Sequence, residues 1–121
     1  MTKPALTLAA PPLTIAPPRP LGEHGQAFWQ RVQTEYAVSD TGGMELLAQA
    51  AAALDRAEEC AAAIARDGLT IVAANGAIKD HPLAKVELAN RAFVTRAIAR
   101  LGLDVEPIQR VGRPPMKGYQ G

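Results

Sequence analysis

Large side chains are scarce in this chain. Aromatic residues make up only 4% of its 121 residues. That excludes a thick core and leaves room for one small domain whose elements pack closely on small residues, with association between subunits as a natural remedy for marginal stability. Cysteine is nearly absent. Cys60 stands alone, so no internal disulfide can form, and it reads as a small buried hydrophobe in a reducing compartment. No run approaches the ~20 apolar residues of a membrane span. The first twenty residues, MTKPALTLAAPPLTIAPPRP, are broken by prolines where a signal peptide needs a continuous apolar stretch. A soluble, cytoplasmic protein with no membrane partner is expected.

The usual constellations of chemistry are missing as well. His24 and His81 lie far apart, and neither has a second metal ligand at i+3 or i+4, so no metal is expected. There is no glycine-rich phosphate loop, and Cys60 has no flanking base. Glu58 and Glu59 are adjacent, which on a helix turns their carboxylates about 100° apart and prevents convergence. The chain reads as a binding or scaffolding protein without a cofactor, not an enzyme.

Charge is present but unevenly placed. The net charge is only +1. Residues 23–67 nevertheless carry eight acids against Arg31, Arg56 and Arg66. From residue 79 onward eight bases (Lys79, Lys85, Arg91, Arg96, Arg100, Arg110, Arg113 and Lys117) face Asp80, Glu87, Asp104 and Glu106. A chain acidic in its middle and basic toward its end has either a polyanion-facing side or an ordinarily solvated helical surface.

Hydrophobic periodicity divides the chain into an arm, a core and a tail. Residues 1–21 hold six of the ten prolines, which remove backbone donors and disfavour helix, so a flexible extended arm is expected. The core spans residues 22–103. Its first helix runs from about Glu23 to Tyr36, with Phe28, Val32 and Tyr36 in one stripe and Gly25 weakening the first turn. Asp40 caps a second helix from Thr41 to Asp67, about 40 Å long, and Gly68 stops it. Leu46, Leu47, Ala50, Leu54, Ala57, Ala61 and Ile64 share one face of this helix. Much of the rest is alanine: Ala48, Ala51, Ala52, Ala53, Ala62 and Ala63. So much small apolar surface predicts a second helix contact, here assigned to a subunit interface through Ala48, Ala51, Ala52 and Ala62.

A hairpin follows at about residues 69–79, from the β-branched Leu69-Thr70-Ile71-Val72, the two-residue turn signal Asn75-Gly76 and a return over Ala77-Ile78-Lys79. Isolated hairpins are barely stable, so this one must lean on a helix or a neighbouring subunit. Pro82, capped by His81 or Asp80, opens a third helix that ends near Leu101 at Gly102. Lys85, Arg96 and Arg100 fall within about 60° of one another on its helical wheel, a basic stripe beside the core. Glu87 precedes Arg91 by four residues in the ion-pair orientation, so Arg91 reads as structural. Residues 104–121 form a flexible basic tail. Its Val111-Gly112-Arg113-Pro114 has the Gly-Arg-Pro of minor-groove hooks but no base before the glycine, which favours a generic basic tail. The residues read as DNA-binding are Lys79, Lys85, Arg96 and Arg100 in the core and Arg110, Arg113 and Lys117 in the tail, acting mainly on phosphates.

The order of these segments resembles a known family. The stretches PRPLGEHGQAFWQRV, SDTGGMELLAQAAAALDRAEE, DGLTIVAANGAIKDHPLAKVELANRAF and ARLGLD together are similar to the small subunits of bacteriophage terminases, over about residues 17–104. The similarity is carried by Ala27-Phe28-Trp29, by Asp40 with Glu45 and Gln49, and by Asp67-Gly68-Leu69. Asn75-Gly76, Lys79 with His81-Pro82 and Lys85, and Leu101-Gly102-Leu103 complete it. It implies a mainly α fold, three helices with a small β-hairpin between the second and third, assembled as a cyclic oligomer of roughly eight to ten copies. It further implies that the ring binds double-stranded viral DNA at packaging initiation, in the cytoplasm of the infected bacterial host, and delivers it to a large subunit holding the ATPase and nuclease. In such a ring the hairpin, with Asn75 and Gly76, packs on the adjacent protomer. Two other readings stand beside this one: a small helical transcription regulator, which the long second helix fits poorly, and an adaptor protein without nucleic-acid binding.

Overall fold

The computed structural model describes residues 15–104. The chain is mainly helical, in the order α1 (Glu23–Tyr36), α2 (Thr41–Asp67), β1 (Thr70–Val72), β2 (Ile78–Asp80) and α3 (Pro82–Arg100). The tail cations Arg110, Arg113 and Lys117 lie outside the described residues.

The helix ends follow local chemistry. The Asp40 carboxylate accepts the Gly43 N–H at 2.8 Å and caps α2, which runs 27 residues to Asp67. At α3 the cap is His81, whose Nδ1 accepts the Leu83 N–H, and Pro82 occupies the first turn, where its missing donor costs nothing. α1 differs, because Gly22 supplies no side-chain cap. Asp55 of α2 takes over that role, accepting the Gly22 and Gly25 N–H groups, each at 2.7 Å. A Cβ on Gly25 would lie 2.3 Å from the Asp55 carboxylate and 2.6 Å from the Ala51 carbonyl. The glycine that weakens α1 as an isolated helix is thus what lets α1 approach α2.

α2 lies between α1 and α3 and packs on both. This corrects the subunit-interface assignment for two residues. Ala48 and Ala51 are both 0% exposed, and they belong to the core cluster with Phe28, Trp29, Leu47 and Ala97. A helix with neighbours on two sides uses both faces within its own protomer, and alanine keeps those helix axes close. Ala52 is half-buried, while Ala62 is exposed. Cys60 is buried on α2, as its surroundings in sequence require.

Trp29 is fully enclosed and donates its indole N–H to the Ile15 carbonyl at 2.7 Å. Ile15 and Leu21 pack against the core, and Arg19 bonds Glu45. The end of the proline-rich arm, read from the sequence as flexible and extended, is therefore joined to the core through Ile15, Arg19 and Leu21. The prolines exclude helix there but do not prevent an extended segment from lying across one. At the other end of the core, the Tyr36 hydroxyl donates to the Leu103 carbonyl.

The hairpin pairs Thr70 with Asp80, Ile71 with Lys79 and Val72 with Ile78. Its turn is one residue longer than Asn75-Gly76 predicts. Gly76 N–H bonds the Ala73 carbonyl and Ala73 N–H bonds the Ala77 carbonyl, leaving Ala74, Asn75 and Gly76 as a three-residue loop. Only Gly76 takes the left-handed conformation, at φ 89°, as in a type I turn closed by a bulge. The Asn75 side chain accepts the Ala77 N–H instead of adopting positive φ.

Candidate functional site

The cations of the core divide into paired and unpaired. Arg19 bonds Glu45 at 2.6 Å, and that bond, with a second from Gln49, holds the Glu45 carboxyl below its usual range. Arg91 bonds Glu87 at 2.8 Å and Glu58 at 3.3 Å. The bond from Glu87 is the main cause of its raised pKa, with Glu58 adding to it. The expected Glu87–Arg91 pair is therefore present, and α2 joins it. Arg66 bonds its neighbour Asp67.

Lys79, Lys85, Arg96 and Arg100 are all exposed and have no carboxylate partner among the described residues. α3 places the last three along one side, and β2 puts Lys79 at the upper end of that side. The structure arranges them as two pairs. Lys79 and Lys85 line a pocket of about 310 Å³ with Ile71, Asp80, His81 and Pro82. Arg96 and Arg100 line another of about 380 Å³ with Leu46, Phe93 and Ala97. Between the pairs the helix surface carries Ala89, exposed, and Ala92, half-buried. Arg31 and Arg56, not singled out in the sequence, are also exposed and unpaired, on α1 and α2.

Asn75 and Gly76 sit exposed at the hairpin tip. Val72 and Ile78, opposite each other in register, are 70% and 73% exposed, so their own protomer does not cover them. Leu69 and Leu88 are as open, at 70% each. Leu88 escaped the sequence reading because it lies off the periodic face of α3. Asp55 escaped it for another reason: its partners are backbone amides 30 or more residues away. The one available signal was Gly22-Glu23, a helix start with no capping side chain of its own.

Among the described residues no cluster of three or more His, Cys, Asp or Glu side chains could hold a metal ion, and no helix is long and apolar enough to cross a membrane. Fold and site define a class: a three-helix unit with a projecting two-stranded hairpin and a ridge of unpaired cations along the last helix. No protein-family model, curated protein or solved structure matches the chain.

Proposed function

We propose that the chain is a non-catalytic, DNA-binding subunit of the terminase small-subunit type. It works as a ring of roughly eight to ten copies, binds double-stranded viral DNA at packaging initiation in the infected bacterial cytoplasm, and passes it to the large ATPase and nuclease subunit. The observation that carries the DNA reading is the grouping of open cations: Arg19, Arg66 and Arg91 are paired, and of the unpaired cations Lys79, Lys85, Arg96 and Arg100 are grouped along α3 and the hairpin, whereas Arg31 and Arg56 stand singly on α1 and α2. Charges without an internal partner are available to phosphates, and their contacts carry little sequence information. Arg110, Arg113 and Lys117 extend the same chemistry into the tail. In the ring, Asn75 and Gly76 with the exposed Val72–Ile78 face, together with Ala52 and Ala62, meet the next protomer.

Fluorescence anisotropy with duplex DNA across a salt series tests this. Each phosphate contact contributes about 0.9 to the slope of log K against log salt, so the double variant Arg96→Ala, Arg100→Ala should lower the slope by about 2. An affinity unchanged when the salt is doubled would reject the phosphate contacts assigned to these residues, and no binding at moderate salt would reject the DNA reading. Light scattering behind a sizing column tests the ring. A stable monomer or dimer would transfer the case to a helical transcription regulator if DNA is bound, and to an adaptor if it is not; the exposed Val72–Ile78 face is the observation that favours the adaptor.

A further inference from the structure

His81 joins the base of the hairpin to the bundle. Its backbone N–H closes the hairpin ladder on the Leu69 carbonyl at 2.8 Å, and its carbonyl accepts the Ala84 N–H in the first turn of α3. Its ring is 6% exposed and bonds in two directions. Nε2 is 3.0 Å from Oδ2 of Asp67, the last residue of α2, and Nδ1 accepts the Leu83 N–H at 3.1 Å. One imidazole thus holds together the end of α2, the base of the hairpin and the start of α3.

The pattern demands one protonation state. An N–H can donate only to an unprotonated Nδ1, so the ring is neutral with its proton on Nε2, directed at Asp67. Adding a proton would turn Nδ1 into a donor facing another donor, and the α3 cap would be lost. The charged groups around the ring differ in what they favour. Asp67 favours the imidazolium. The positive end of the α3 dipole opposes it, as do Lys79 and Lys85, which line the same pocket; Asp80 lines that pocket too, and Arg66 is bonded to Asp67. The Asp67 carboxyl is itself held below its usual range, first by the His81 bond and then by Arg66. Nε2 carries a proton in both the neutral ring and the imidazolium, so the bond to Asp67 is available in either state.

We propose that His81 is a pH-sensitive joint: neutral, it ties the hairpin to both α2 and α3; protonated, it keeps α2 through Asp67 and releases the first turn of α3. Acidification thereby loosens the placement of Lys79 relative to Lys85 without unfolding either element. The joint goes beyond the DNA reading and does not depend on it.

The test is NMR on the full-length protein. At about pH 7.5 the ring ¹⁵N shifts should report the Nε2–H tautomer, and on lowering to about pH 5 the Leu83 amide should lose about fivefold in exchange protection, the factor expected for one lost capping bond. The α2 amides should keep theirs. His81→Asn retains a capping oxygen but cannot titrate, so its Leu83 protection should be independent of pH. An Nδ1–H tautomer at neutral pH, or wild-type Leu83 protection that does not change with pH, would overturn the proposal, and both are read on the wild type whether or not the variant folds.

Discussion

α2 and the hairpin are both apolar in composition, yet their surroundings are opposite. On α2, residues as small as Ala48 and Ala51 are completely enclosed; on the hairpin, residues as large as Val72 and Ile78 remain open to solvent. The difference lies in what stands beside each element. α2 has a helix on either side, so every small side chain becomes a point of close approach, whereas the hairpin pairs only with itself. Hydrophobicity shows that a surface can be buried, and topology decides which surface is.

This contrast can be broken or sharpened by substitution. The largest effect is expected for Trp29→Ala, which empties the enclosed site between α1 and α2 and removes the bond that holds Ile15. Urea unfolding should show a loss of about 3–5 kcal/mol. Next come two alanines given the same treatment. Ala51→Leu forces extra volume between helices and should cost about 1–3 kcal/mol, while Ala65→Leu at an exposed position of α2 should remain within about 0.5 kcal/mol. Equal costs at both positions would mean that α2 does not face its neighbours as described. The smallest effect is expected for Val72→Thr with Ile78→Thr. It should leave protomer stability within about 0.5 kcal/mol, and any loss of assembly mass in light scattering would then belong to an interface between copies.

The helix boundaries were legible because their chemistry is local. Asp40, Gly68, Pro82 and Gly102 act within a turn of where they stand, and the Glu87–Arg91 pair is one turn long. What escaped the sequence depends on distance. Whether Ala51 faces a subunit or its own α1 turns on Gly25, which is unremarkable until the two helices are brought together. The Asp55 cap and the Trp29 bond to Ile15 join segments that no periodicity links. The hairpin turn is an intermediate case: Asn75-Gly76 correctly marked its position, but the Asn75 side chain chose the longer loop by bonding the Ala77 amide. For the candidate site, Lys85, Arg96 and Arg100 could be grouped by helical angle alone. Their freedom from carboxylates could not, since Arg91 has the same residue type and only the fold shows Glu58 reaching it.

The cap that Asp55 lends to α1 also bears on how α1 depends on α2. α2 has its own cap and an alanine-rich sequence of high intrinsic helicity. By contrast, α1 is 14 residues long and starts on an uncapped glycine, a length at which isolated helices are marginal in water. Its first turn is satisfied only when α2 is beside it. The cap is thus shared between the two helices, and the start of α1 is completed by docking on α2, not by α1's own sequence.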